Sequence, residues 1–295
     1  MNLWVALDWG TTNFRAYLMR GNDVVDKITT QEGMKFIDQQ NFENTLVKNI
    51  KAWHDNFDFN LIIASGMVGA KQGWIEVPYL NCPCNIQNLN YETINILDNV
   101  TVIILSGIAQ LEPADVMRGE ETQIAGFLLD NENFKGSICL PGTHNKWVSL
   151  NRHEIKKFTT FLTGELYEIT KKHSILKHSL NSNELNDNIV KISAEQIIND
   201  PTLITNKLFE IRAENLINNS DDLTNNSKLA GYLLGIELSG SKSYWEGKDL
   251  IIIGSSNLNK YYQLILKEKS NSIRLFNSNE MVLKGLSLFK KSLNL

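Results

Sequence analysis

Cysteine is scarce in this chain: Cys82, Cys84 and Cys139 are the whole supply among 295 residues. Cys82-Pro83-Cys84 is too tight for an easy disulfide, and no His or Cys cluster completes a metal site, so all three read as reduced, packing thiols. Long apolar runs are missing as well. None reaches the ~18 residues that span a bilayer, and because Met1-Asn2 leads straight into a strand pattern the expectation is a chain without a secretory leader. Surplus positive charge is also lacking, since 29 Lys and Arg face 33 Asp and Glu for a net charge of −4. That balance gives no broad field to draw nucleic acid or acidic membrane. An anionic ligand must therefore be held by individual Arg, Lys and backbone N–H groups. The expectation is a cytoplasmic protein acting on a small molecule, with no nucleic-acid or membrane partner. A homodimer is left open. The length suits two domains.

What is present begins at Asp8-Trp9-Gly10-Thr11-Thr12-Asn13-Phe14-Arg15. Apolar runs at Leu3–Leu7 and Ala16–Met19 flank it, which reads as strand, tight Gly turn, strand. Such a turn offers backbone N–H groups and two hydroxyls to a phosphate. Asp8 at its mouth is placed to hold a hydrated Mg²⁺, and Arg15 to neutralise phosphate oxygens. A second copy follows: Ser137–Leu140, then Pro141-Gly142-Thr143-His144, then Lys146–Leu150. A third strand is expected after each hairpin, at Val24–Ile28 and Glu154–Phe158. Gly10-Thr11 and Gly142-Thr143 occupy equivalent places, so two facing hairpins could clamp a polyphosphate. This duplication resembles the actin/hexokinase/sugar-kinase superfamily. The resemblance implies an α/β, two-domain actin-like ATPase fold (a duplicated ribonuclease H-like unit) with a central cleft.

Between and after the hairpins the pattern is mixed. Phe42, Leu46, Val47, Ile50 and Trp53 recur at helical spacing, and Leu61–Ala64 and Thr101–Leu105 read as buried strands. Residues 67–90 form a long irregular segment with Trp74, Pro78 and Tyr79, the kind of loop that is usually functional. A helix from Glu120 to Leu129 reads as the link between halves, giving domains 1–118 and 119–295. Further helices are expected near Gly164–His173, around Glu195, over Thr202–Ile217, through Leu229–Ile236, over Leu258–Lys269 and from Glu280 onward. Leu250–Ser256 reads as a strand entering a Gly/Ser turn, and Ser272–Phe276 as a last strand.

Arg118-Gly119-Glu120-Glu121 lies between the hairpins. A kinase acting on an alcohol needs a carboxylate beside the attacking hydroxyl. The second hairpin has Leu140 where the first has Asp8, so Glu120 or Glu121 is the candidate base. Adjacent helix positions point about 100° apart, so one of the two faces the ligand; which one stays open. Lys146 joins Gly142, Thr143 and His144 as a candidate phosphate-binding residue of the second hairpin, as Thr12 and Asn13 join Gly10, Thr11 and Arg15 in the first.

Several blocks together resemble the 2-dehydro-3-deoxygalactonokinase family. They are Ala6–Ala16; Gly66-Met67-Val68-Gly69 with Gly73-Trp74 and Pro78-Tyr79; Met117–Gln123; Pro141–His144 with Lys146-Trp147; Thr163–Leu166; and Leu208–Ala213. The resemblance implies transfer of phosphate from ATP, with Mg²⁺, to the C6 hydroxyl of 2-dehydro-3-deoxy-D-galactonate. It further implies an adenosine site at Gly254, Ser255 and Ser256, and a connecting helix over Glu280–Phe289 with Gly285 inside it. Gly66, Met67, Val68, Trp74, Thr163 and Glu165 are assigned to recognition of the sugar acid, with Arg118, Lys71, Lys146 and Arg212 as candidate cations for its carboxylate. Alternatives are a kinase for another sugar acid or polyol, a polyphosphate-hydrolysing relative, and a nucleotide-gated regulator without catalysis.

Overall fold

The computed structural model describes residues 2–97 and 99–293; Met1, on which the reading of a chain without a leader partly rests, lies outside them. Packing divides the chain into two units. Unit 1 comprises Met1–Lys135, Leu150–Lys157 and Ser278–Leu295, and unit 2 comprises Gly136–Ser149 and Phe158–Asn277. Among the described residues no helix is long and apolar enough to cross a membrane.

Unit 1 opens with β1 (Leu3–Trp9), β2 (Phe14–Arg20), β3 (Asp23–Thr30), α1 (Phe42–Asn56) and β4 (Phe59–Ser65). After the loop come β5 (Leu80–Cys82), β6 (Cys84–Asn85), β7 (Tyr91–Ile96), β8 (Val100–Leu105), β9 (Ile108–Gln110), β10 (Asp115–Met117) and α2 (Glu120–Leu129). Its main sheet runs β3-β2-β1-β4-β8-β7, antiparallel through the hairpins and parallel from β1 to β4 and β8. The near-continuous apolar runs of β1, β4 and β8 suit strands covered on both faces. Val5, Leu7, Ile62 and Val102 pack there with Phe42, Leu46 and Ile50, the apolar stripe of α1.

Unit 2 is built from β11 (Lys135–Leu140), β12 (Asn145–Asn151), β13 (Glu154–Phe161), α3 (Thr163–His173), α4 (Asp187–Asn199), α5 (Ile204–Asn218), α6 (Asp222–Gly240), α7 (Lys242–Trp245), β14 (Asp249–Gly254), α8 (Ser256–Leu266) and β15 (Ser272–Asn277). Its strands run β13-β12-β11-β14-β15, with β14 parallel to both neighbours. The order repeats that of β3-β2-β1-β4-β8 in unit 1, so the duplication read from the hairpins extends through each sheet. The start of β13 crosses into unit 1, where Glu154 and Ile155 pair with Asn85 and Cys84 of β6.

The last helix, α9 (Ser278–Ser292), returns to unit 1 and packs on α2. The two backbones touch: a Cβ on Gly126 would overlap the Met281 carbonyl, and one on Gly285 the Thr122 carbonyl. Where the sequence pattern divides the chain after 118, packing keeps α2 in unit 1, because these two glycines let α9 lie directly against it. All three cysteines are free thiols, and burial pushes Cys84 up to about 12.

Candidate active site

In unit 1 the register pairs Asp8 with Arg15 and Trp9 with Phe14, leaving Gly10–Asn13 as the turn. Its root is fixed by Trp9, whose ring meets Phe14 edge-on at 5.0 Å and whose Nε1 donates to the Glu32 carbonyl at 2.8 Å. The segment after Glu32 backs the turn. Met34, Lys35 and Gly33 N–H groups donate to the carbonyls of Gly10, Thr11 and Thr12 at 3.0, 3.1 and 3.0 Å. Because a trans peptide points its N–H opposite to its C=O, the amides of Thr11, Thr12 and Asn13 face away from that backing. Thr11 and Thr12 are exposed. An outward row of amides beside two hydroxyls is an anion-binding concavity. Arg15 Nη1 meets Asp8 Oδ2 at 2.8 Å; burial raises the Asp8 pKa and Arg15 pulls it back.

Glycine also explains how the acids reach this turn. Gly66 has φ +97°, and a Cβ there would stand 2.7 Å from the Trp9 carbonyl. Gly119 has φ +107°, and its Cβ position lies 3.5 Å from Gly66 Cα. Both conformations are ones that side chains strain against. The turn, the end of β4 and the start of α2 therefore meet backbone to backbone. Glu120 Oε2 accepts from the Arg118 N–H at 3.0 Å, and Glu121 Oε2 from the Gly119 N–H at 2.7 Å. Glu121 is fully buried while Glu120 is half-buried. Burial first, then neighbouring Glu120, pushes Glu121 up to about 8, against the opposing pull of the Gly119 N–H and Arg118.

That shift has a stability signature. A carboxyl whose folded pKa is about 8, against an ordinary 4.5, keeps its proton after the unfolded chain has lost it. Its contribution is intact below 4.5 and drains away as pH rises towards about 8. Urea unfolding of the wild type and Glu121→Gln should show the wild type losing ground to the variant from pH 5 to pH 8. A constant difference between them would contradict the shifted carboxyl.

The segment expected from sequence to recognise the sugar acid is more firmly packed than its sequence suggests. Val68 is fully buried in the core of unit 1 and so is no ligand surface, whereas Trp74 packs one part of its half-buried ring against that core. Arg118 is buried as well. Its guanidinium stacks on Tyr79 at 4.2 Å, Nη2 donates to the Val77 carbonyl at 2.9 Å, and Nε and Nη1 are enclosed. It pins residues 67–79 to the start of α2 instead of presenting a free cation. Met67 is half-buried and Lys71 exposed.

In unit 2 the Pro141–His144 turn joins β11 to β12, with Gly142, Thr143 and His144 exposed. The Gly142 N–H donates to Asn145 Oδ1 at 2.7 Å, and the Thr143 carbonyl accepts from the Glu165 N–H at 3.0 Å. Thr163 and Glu165, read from sequence as substrate contacts, brace this turn. Thr163 donates its hydroxyl to Glu237, and the Glu165 carboxylate pairs with His144 Nε2 at 2.5 Å. Lys146 is buried and donates to Thr160 Oγ1 at 2.9 Å, with no carboxylate in ion-pair range among the described residues. Arg212 sits in α5, bonded to Ser179 and Asn215 at 3.2 and 3.4 Å, within the helical layer of the unit. Gly254 closes β14 next to the hairpin: a Cβ there would stand 2.6 Å from Asn259 Oδ1 and 3.3 Å from Pro141 Cδ. Ser255 caps α8 by accepting from the Leu258 N–H at 3.4 Å, and a cavity of ≈ 230 Å³ opens beside Gly254, Ser256, Asn259 and Gln263.

Sequence reading missed the groups that hold these turns. Each turn has a glycine behind it: a Cβ on Gly33 would overlap the Thr11 and Thr12 backbone, and one on Gly164 the Gly142 carbonyl. Gly33→Ala and Gly164→Ala should each raise KM for ATP by about tenfold or more, the loss of one charge-assisted hydrogen bond or so. Folded variants with unchanged KM would show that the turns tolerate displacement. The other missed group is Glu237, a buried acid on α6.

The sequence model of the family described as DGOK, 2-keto-3-deoxy-galactonokinase, matches residues 8–289. The chain belongs to this family. It is 31% identical over 293 residues to the Rhizobium meliloti protein named "Probable 2-dehydro-3-deoxygalactonokinase DgoK1", covering 96% of this chain and 95% of that one. It is 27% identical over 261 residues to the Escherichia coli 2-dehydro-3-deoxygalactonokinase, covering 88% of each. A Sinorhizobium meliloti crystal structure described as "a putative 2-dehydro-3-deoxygalactonokinase protein" superposes with TM-score 0.91 at 30% identity, over 98% of this chain and 99% of that one. The Clostridium difficile activator of 2-hydroxyisocaproyl-CoA dehydratase, solved with bound ADPNP, gives TM-score 0.50 at 14% identity, over 99% of this chain and 96% of that one, a likeness of fold alone. The duplicated actin-like α/β fold and the kinase class expected from the hairpins therefore hold for this family member.

Proposed function

We propose that the chain transfers the terminal phosphate of ATP to the C6 hydroxyl of 2-dehydro-3-deoxy-D-galactonate, in the cytoplasm. The observation that carries the reading is the meeting of the Gly10–Asn13 turn, with its outward amides, and the Glu120 helix start through Gly66 and Gly119. Phosphoryl transfer needs positioning and charge stabilisation more than covalent chemistry. The Thr11, Thr12 and Asn13 amides and Arg15 hold phosphate oxygens; so do the Gly142–His144 turn and Lys146. A buried cation without an acid is costly, which makes Lys146 a fitting partner for an anionic ligand. Gly254, Ser255 and Ser256 take the adenosine. Glu120, the more accessible of the two acids, accepts the C6 proton while Glu121 stays protonated behind it. Gly66, Met67 and Lys71 line the acceptor side.

Asp8 suits a magnesium ion. Oδ2 is taken by Arg15, whereas Oδ1 has no protein partner among the described residues. Mg²⁺ is commonly held by one or two carboxylates with waters and phosphates, so a single acid suffices; when bound, the ion would screen charge between phosphate oxygens.

The test is a panel of 2-oxo-3-deoxy sugar acids and common sugars, assayed for ADP release with Mg-ATP. The galactonate derivative should be turned over fastest, and ³¹P NMR should show a 6-phosphate. Preference for a polyol or a neutral sugar would overturn the substrate, and polyphosphate hydrolysis without ATP would overturn the reaction.

A further inference from the structure

Glu237 has no obvious reason to be where it is. It lies in the last turn of α6, 1% exposed, and among the described residues no Lys, Arg or His is in ion-pair range. A buried carboxylate is expensive unless its oxygens are well supplied with donors. Here they are supplied from three other elements. From β12, Asn145 Nδ2 donates at 2.6 Å and Trp147 Nε1 at 2.8 Å. From α8, the Tyr262 hydroxyl lies 2.9 and 3.0 Å from its two oxygens, and from the start of α3 comes the Thr163 hydroxyl.

Three of these four donors lead to a part of unit 2 read above as ligand-facing, and the fourth, Trp147, lies in its core. Asn145 turns its other end to the hairpin, where Oδ1 takes the Gly142 N–H at 2.7 Å. Thr163 precedes Gly164, which packs on the Gly142 and Thr143 backbone. Tyr262 belongs to the helix that Ser255 caps. The first hairpin is held differently: the Gly10 N–H goes to the Asn13 main-chain carbonyl, and the Gly33–Lys35 main chain ties its three carbonyls. The second hairpin ties Gly142 through a side chain, and that side chain is anchored on Glu237.

We propose that Glu237 is a positioning residue for ATP: through Asn145 and Thr163 it sets the Gly142–His144 turn in the form that receives phosphate. The proposal rests on the reading of that turn as a phosphate site. It predicts a loss confined to the phosphate end of the nucleotide. Glu237→Gln puts an NH₂ among donors, and Asn145→Ala cuts the link to Gly142. Calorimetry with a non-hydrolysable ATP analogue and with adenosine, on variants shown folded by thermal melting, separates the outcomes.

Both variants should bind the analogue about 10- to 100-fold more weakly and adenosine as well as wild type, with the double variant no worse than the weaker single. Equal analogue affinity in a folded variant, or parallel loss of analogue and adenosine, would overturn the positioning role. Wild type that fails to bind the analogue would instead overturn the phosphate reading itself. If Glu237→Gln does not fold, Tyr262→Phe and Asn145→Ala carry the same comparison.

Discussion

Glu120→Gln should lower turnover by ~10²- to 10⁴-fold, the usual worth of a positioned proton acceptor, and leave the affinity for ATP unchanged. Glu121→Gln should cost far less. The two acids are adjacent, yet their surroundings separate them. Glu121 is fully enclosed, with Oε2 on the Gly119 N–H and a pKa near 8, so at neutral pH it is already an uncharged hydrogen-bonding group that Gln imitates. Glu120 is the one with exposed surface at the helix start, where its charge is favoured by the helix dipole. Steady-state kinetics on both variants at pH 7 is the measurement. Equal, small losses in both would remove the α2 acids from the chemistry, and a large loss in Glu121→Gln alone would exchange their roles.

Gly285→Ala should destabilise the protein, although helix propensity alone argues the reverse. On an exposed helix the change would add about 1 kcal/mol. Here the new methyl overlaps the Thr122 carbonyl of α2, a main-chain atom that cannot rotate aside. Overpacking of this kind costs about 1–3 kcal/mol, sometimes more, and so outweighs the propensity gain. Gly126→Ala, which meets the Met281 carbonyl, should behave alike. Thermal unfolding should fall by roughly 2–4 °C per kcal/mol lost. Turnover should fall too, because α2 carries Glu120 at its first turn. A higher melting temperature in either variant would mean the helices have room to part.

The two turns were legible because a tight loop between alternating apolar runs is a local pattern, complete within a dozen residues. The same holds for α1, with its clear stripe, and for the uninterrupted β4, β8 and β14. What escaped reading depends on distant partners or on too few residues. β7 is mostly exposed along its length, so Tyr91–Ile96 lacks the apolar alternation of a covered strand. β9 and β10 have three residues each, and α7 has four, too short to show a period. Val68 looks like a loop residue in sequence but is core, and Trp74 packs against that core, since nothing local reveals that the loop folds back on its own sheet. Arg118 illustrates the same limit: its cationic head was visible, its enclosure by Tyr79 and Val77 was not. Glu237 stands 92 residues from Asn145, beyond the reach of any spacing argument.

The return of α9 to the first unit bears on how the protein is made. Domains tend to fold as they leave the ribosome, first-made first. Here the earlier unit waits for the closing stretch, Ser278 onward, before α2 has its packing partner. A nascent chain stalled near Asn277 could complete its later-made unit while the older one remained unfinished. Trimming the carboxyl end would accordingly damage the acid-bearing unit first, sparing the later-made one.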